Sequence, residues 1–378
     1  MNHSDSQHGV SNNPALSHTR KQQSLPSVRW FGLLLLLLFS LTALQSVGCG
    51  EPLDSESAQE STVLDASTPE GSLSESTPGT ENANPEPTPE QQPPATEVFA
   101  VMADIQNCKT GKITSAAKQA ALKRVNDIRK IHGLQPVTYN SALDADVMAA
   151  ALIIVANSTI THYPKPDALC YSEAAKNGSA KSNIGVSFST RDKAPDMPSV
   201  PAKVDGWLRD DRNVQPGVGH RRWILNPFLK HVAFGYAFGK SPKPRPRFPY
   251  VTGSALFVLD SKTNVDPVPG GFVAYPFKKY PRTLWNPKTF LSFSAVYNTS
   301  SPFRNKKVDY SQAKIEVKSP QGPMTVSDIS SNTKGAGVPN VIIWKVNGLQ
   351  PNVKYDVSLS NVTVEGQSKS YNYSFTLE

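Results

Sequence analysis

The chain has 378 residues, 38% of them hydrophobic, and a formal net charge of +8. Its 23 Gly are too few for a collagen repeat, and its three Cys rule out a disulfide-dense mini-scaffold. Only one run is apolar enough to consider for a membrane, which excludes a polytopic membrane protein. The charge is unevenly placed: residues 1–48 carry +2, residues 49–97 carry −11 with no Lys or Arg, and residues 98–378 carry +17.

The first 48 residues read as a targeting segment. Arg29 precedes Trp30 and Phe31, and the leucines Leu33 to Leu38 follow. The apolar run reaches Leu44, short of the ~20 residues that a spanning helix needs. A basic stretch, a short apolar run and small residues form a secretory signal. Ser46-Val47-Gly48-Cys49 resembles a bacterial lipobox, whose Cys becomes the acylated N-terminus. That resemblance implies a lipid anchor at Cys49, holding an extracytoplasmic chain on a bacterial membrane; plain secretion and an uncleaved anchor are the alternatives. Residues 49–97 are rich in Glu, Ser, Thr and Pro, with almost no aromatics. Such a composition cannot bury a core, so it predicts a disordered acidic tether.

Folded sequence is expected from Val98. Thr114 can cap a helix whose apolar positions Ala117, Ala121, Val125, Ile128 and Ile131 recur at helical spacing, with Gly133 ending it. Ser141, with Asp144 three residues on, predicts the cap of a second helix. That helix is apolar from Val147 to Ala156 and should be buried all round. Strands are expected at 184–189, 232–238 and 255–259, the last a continuous apolar run fit for a central position. A helix around Ala202–Asp210 and a helical turn after His220 lie between the first two. The result is an α-β-α arrangement. The Pro- and Gly-rich stretch 263–271 marks a boundary. Beyond it, alternating or apolar runs at 289–294, 313–318, 341–344, 354–359 and 371–377 predict an all-β sandwich.

Several of these segments carry a resemblance. Residues 121–134, Ala-Leu-Lys-Arg-Val-Asn-Asp-Ile-Arg-Lys-Ile-His-Gly-Leu, are followed by Ser158-Thr159-Ile160-Thr161-His162, Ser182-Asn183-Ile184-Gly185, Val204-Asp205-Gly206-Trp207-Leu208 and Gly219-His220-Arg221-Arg222-Trp223. In this order they resemble the bacterial branch of the CAP superfamily, which groups cysteine-rich secretory proteins, antigen 5 and pathogenesis-related proteins. The resemblance implies an α+β fold: an α-β-α CAP (SCP) domain over 98–262, a connector over 263–283, and a sandwich over 284–378. The last part resembles immunoglobulin-like or fibronectin-like sandwiches, a likeness of fold only.

The resemblance also implies a cavity. His162 and His220 match the two histidines that line it, and two acids complete a tetrad able to hold a divalent metal, zinc or calcium. Here Asp210 stands at one acid position, where Glu is usual, and Ser182 at the other. His162, His220 and Asp210 could still hold zinc with a water. Without the second acid, however, attraction for a dication weakens, and His162 and His220 read first as hydrogen-bonding across the cleft to fix its loops; metal binding, or a metal-free ligand pocket lined by His162, Ser182, Asp210 and His220, are the alternatives. Glu173 is a candidate to replace the missing acid. Ser182 has no Gly-x-Ser-x-Gly context, so a Ser-His-Asp enzyme is not indicated. His132, at a helix end where a cation suits the macrodipole, and His231 read as structural or solvated. Of Arg221 and Arg222, at most one faces the cleft, where it would bind an anion; the other reading is a salt bridge to Asp205, Asp210 or Asp211.

Cys108 and Cys170 are the remaining thiols. In an oxidising compartment a bridge between them would pin the N-terminal arm to the loop after His162; free thiols are the alternative. No nucleic-acid motif occurs, and the +17 region reads as solvated charge, with an anionic wall polymer or lipid as the counter-surface it would otherwise suit. The sequence therefore predicts a monomeric, extracytoplasmic CAP-domain lipoprotein that binds an envelope, lipid or protein ligand without catalysis. A metal-dependent hydrolase and a structural or adhesive surface protein are the alternatives.

Overall fold

The computed structural model describes residues 98–190, 198–211, 213, 217–334 and 337–378. The leader, Cys49 and the acidic segment lie outside these residues. The first part opens with a small antiparallel pair, β1 (Phe99–Val101) and β2 (Lys112–Ile113). Then come α1 (Ser115–Ile131), β3 (Thr138–Tyr139), α2 (Asp144–Asn157) and α3 (Glu173–Ala180). β4 (Ser182–Ser189), α4 (Val200–Arg209), α5 (Gly219–Ile224), β5 (His231–Arg245) and β6 (Phe248–Phe257) complete it. The sheet order is β3-β5-β6-β4, with β3 parallel to β5 and the other pairs antiparallel. The apolar run at 255–257 thus belongs to an inner strand.

Side-chain alternation along β5 builds the layers. Ala233 and Ala237 pack on the α2 side with Val147, Ala151 and Val155. Phe234, Tyr236 and Phe238 fill the opposite face with Val125, Ile128, Val204, Trp207 and Leu208 of α1 and α4. Between the two alanines, a Cβ on Gly235 would lie 2.0 Å from the Val147 carbonyl oxygen. Helix and sheet can approach this closely only because that side chain is missing. α2 is buried from Val147 to Ala156 because the sheet covers one side and α3 another.

The Thr114 hydroxyl caps α1, accepting from the Ala117 amide at 3.2 Å. The second cap differs from the expectation. Asn140, not Ser141, accepts from Ala142 N and opens a 3₁₀ turn over Ser141–Leu143. The Asp144 carboxylate instead holds Lys118 and the Tyr139 hydroxyl.

The second part is an all-β sandwich. Its strands are β7 (Phe272–Tyr275), β8 (Lys278–Tyr280), β9 (Leu291–Ala295), β10 (Val308–Asp309), β11 (Lys314–Ser319) and β12 (Gly322–Met324). β13 (Val326–Asn332), β14 (Val341–Val346), β15 (Lys354–Val364) and β16 (Gln367–Leu377) follow. One sheet runs β13-β14-β9-β7; the other runs β12-β11-β15-β16-β8, with β10 also on β15. Phe272 and Phe293 of the first sheet meet Tyr371 and Tyr373 of the second, ring centres 4.9–6.0 Å apart. Two of these strands, β7 and β8, lie within residues 263–283. That stretch is therefore part of the sandwich and not a connector, because Phe272–Tyr275 is buried at every position.

The two parts share one apolar core and belong to one compact unit. Buried arginines join them. Arg221 donates to the Leu208 and Arg209 carbonyls of α4 at 2.8 and 2.6 Å, and to Phe290 O and Ser292 Oγ of the sandwich at 2.8 and 3.0 Å. Its guanidinium lies 3.7 Å from the centre of the Tyr275 ring. Arg222 donates to Val338 O at 2.9 Å. Next to that oxygen, a Cβ on Gly337 would stand 2.2 Å from Arg222 O, and its φ of +59° suits glycine. Neither arginine faces the cleft or forms the anticipated carboxylate pair; Asp205 pairs with Arg124. A guanidinium fork satisfies several fixed carbonyls at once, which lysine cannot.

His132 is structural, as expected, but it is not the cation that suits a helix end. It is the C-cap of α1 but is 3% exposed, with Nε2 3.4 Å from the Tyr280 hydroxyl and its ring stacked near Phe277. Burial lowers its pKa to about 3, against the pull of the Ala274 backbone, and Arg221 and Arg129 disfavour the cation further. The histidine is therefore neutral in the fold. Below the ordinary pKa of 6.5 the unfolded chain takes up a proton that the folded chain refuses, so stability is full above that value and declines as pH falls towards 3. The expected loss is about 1.4 kcal/mol per pH unit, or about 2 kcal/mol by pH 5. Urea unfolding from pH 7.5 to 5 should show this slope, and His132→Phe should flatten it. Equal slopes in the two proteins would disprove the assignment.

Candidate functional site

The site residues sit where α3 meets β4 and where α4 meets α5. α4 ends at Arg209, and Asp210 takes a left-handed conformation (φ 51°, ψ 31°) that turns its side chain towards α5. α5 has no cap of its own, since Val218 stands at that position and makes no side-chain bond. The Asp210 carboxylate supplies it. Oδ2 accepts from His220 N at 2.9 Å and Arg221 N at 3.3 Å, two of the amides that a helix start leaves unpaired. Oδ1 accepts from the His220 ring Nδ1 at 2.8 Å, and Asn213 Nδ2 donates to Oδ2 at 3.4 Å. Asp210 is 4% exposed.

Both histidines are tied to one five-residue stretch. His162 is exposed, and its Nδ1 donates to Ser179 O at 2.8 Å. The His220 carbonyl accepts from Asn183 Nδ2 at 3.1 Å. Residues 179 and 183 are four apart, so their backbones lie within about 14 Å. In each imidazole the nearest Nδ1 partner is an acceptor, for His220 the Asp210 carboxylate at 2.8 Å with Asn213 Nδ2 farther off at 3.3 Å, which favours the proton on Nδ1 and leaves Nε2 as an acceptor in the neutral ring. Ser182 lies between, 4% exposed, and its hydroxyl makes no hydrogen bond among the described residues; the same is true of the Ser179 hydroxyl.

The comparisons with known proteins cover this region. Residues 122–243 match the model of the family described as "CAP: Cysteine-rich secretory protein family". The chain carries a CAP domain. Among solved structures it is similar to the "CAP domain of Enterococcal PrgA", at 15% identity and a TM-score of 0.29, over 46% of this chain and 72% of that one. No curated protein matches the chain.

Within the CAP domain, the donor set does not fit a divalent cation. Three donors crowd Oδ2 of Asp210 and the His220 ring takes Oδ1, Ser182 offers a neutral hydroxyl, and what remains is one Oδ1 lone pair and the two imidazole Nε2 atoms. Among the described residues no three His, Cys, Asp or Glu side chains gather as a metal site would need. Glu173 does not replace the missing acid: it lies on the exposed first turn of α3, bonded to Tyr171 and Lys176. The Asp210–His220 pair has the geometry of an orienting acid and an imidazole, but Ser182 bonds to neither. His231 pairs with Asp260, away from these residues. Cys108 and Cys170 form a disulfide that ties the N-terminal arm to the loop following His162.

Sequence reasoning missed Ser179, Asn183 and Asn213. Asn183 stands inside the quoted Ser-Asn-Ile-Gly motif, so its position was visible while its task, holding the His220 backbone, was not. Asp210→Asn should release His220 from its single tautomer and weaken the start of α5, costing about 1–2 kcal/mol. Nitrogen NMR of the His220 ring reads the first effect and urea unfolding the second. An unchanged Nδ1–H tautomer in the variant would show that Asp210 does not orient the ring.

Proposed function

We propose that the CAP domain is a non-catalytic binding module, held outside the cytoplasm by an acyl anchor at Cys49, with a cell-envelope polymer, lipid or protein as its ligand. The observation that carries this reading is the commitment of Asp210. Its carboxylate is spent on capping α5 and orienting His220, and a serine stands at the other acid position. The site then offers two oriented imidazole acceptors. Such groups accept hydrogen bonds from ligand hydroxyls or amides and supply no activated nucleophile. The leader sequence supports the anchor. No helix among the described residues is long and apolar enough to cross a membrane.

Two measurements test this. The purified protein should be retained on isolated envelope material at moderate salt, and the His162→Ala, His220→Ala double variant should lose retention roughly tenfold. Equal retention of both proteins would reject the site. Zinc or calcium should leave the melting temperature unchanged; a rise abolished by His220→Ala would favour the metal-dependent hydrolase instead. In cells, a palmitate analogue should label the wild type and not Cys49→Ser, and a labelled Cys49→Ser protein would refute the anchor.

A further inference from the structure

The β5–β6 hairpin overhangs its sheet. β4 flanks β6 only as far as Ser189 opposite Tyr250, while β5 and β6 continue to Arg245 opposite Phe248. Residues 242–248, Pro-Lys-Pro-Arg-Pro-Arg-Phe, are all exposed, as is Lys240. The overhang thus carries Lys240, Lys243, Arg245 and Arg247, and no Asp or Glu occurs from His231 to Leu259. None of the four cations forms an ion pair among the described residues.

An apolar element accompanies the charge. Phe248 is 40% exposed at the end of the hairpin. Its ring centre lies 6.5 Å from that of Phe188, and the Arg245 guanidinium lies 4.3 Å from the Phe188 ring centre. Pro242, Pro244, Pro246 and Pro249 remove backbone donors from the tip, so the overhang is poorly suited to take on an added peptide strand. Long cationic side chains around an exposed aromatic ring match the boundary between head groups and acyl chains of an anionic bilayer. A soluble polyanion would use the charges and leave Phe248 without a role.

We propose that the tip of the β5–β6 hairpin docks the protein on an anionic lipid surface. The basic residues meet the head groups, and Phe248 enters the interface. This surface shares no residue with the His162–His220 site, so it stands or falls independently of the binding function proposed there.

The test is co-sedimentation of the full chain with vesicles of phosphatidylcholine, with and without phosphatidylglycerol. The anionic-over-neutral partition ratio cancels whatever the Leu33–Leu38 run contributes. The ratio should be well above one and fall with salt. Changing Lys240, Lys243, Arg245 and Arg247 together to Gln should reduce it roughly a hundredfold. A charge-matched change in the sandwich, Arg304, Lys306, Lys307 and Lys314 to Gln, should reduce it less than threefold. Phe248→Ser should weaken anionic binding several-fold with the salt slope unchanged. An unchanged melting temperature checks that the exposed changes leave the fold intact. Equal losses in the hairpin and sandwich variants would show bulk charge at work and overturn the proposal. So would binding to soluble polyphosphate without binding to vesicles.

Discussion

The guanidinium of Arg221 is buried with no carboxylate partner among the described residues, and much of the architecture converges on it. A lone cation in a core is costly unless its donors are used. Here they are used on four oxygens, two from the end of α4 and two from the sandwich. The stacked Tyr275 ring covers its face. The result fixes the end of α4 against β9, and Arg222 repeats the device against the loop at Val338. α5 is only six residues long, yet it carries His220, Arg221 and Arg222 in succession. Its first turn belongs to the candidate site and its next two residues belong to the contact with the sandwich. The orientation of His220 is therefore set from both sides: by Asp210 at its ring and by the sandwich through its neighbour.

This arrangement recasts the two-domain picture. The sandwich shares apolar core with the CAP part, through Tyr280 against His132 and through Leu284, Trp344 and Ile342 in one continuous cluster. A partner bound to either part would act on a single packed body. Removing the sandwich would uncover His132 and leave the Arg221 fork without half its acceptors.

Much of the fold was legible because it follows from local chemistry. The α1 cap at Thr114, the all-round apolarity of α2 and the small–large alternation of β5 each translate directly into a contact. Other features were hidden for stated reasons. Asn140 and Ser141 are both good capping residues, and only the backbone decides between them. β7 is four residues long behind two glycines with positive φ, so it read as a linker. His132 is neutral because it is buried, in part under Tyr280, a residue 148 positions away. Arginines such as Arg221 and Arg222 lead one to expect acidic partners, whereas their partners are mostly carbonyls, which every residue possesses. At the site the four tetrad positions could be named from motifs. The commitment of Asp210 to α5 could not, since it depends on the left-handed turn and on Val218 being unable to cap.

The pairing of β8 with β16 has a kinetic meaning. β16 lies between β15 and β8, and its parallel register with β8 joins Lys278 to Phe375 and Tyr280 to Leu377. Strand partners so far apart in sequence close late, because the loop entropy must be met before the contacts form. Tyr280 is also the residue that covers His132. The strand pair that closes the edge of the sandwich thus also seals the end of the first long helix.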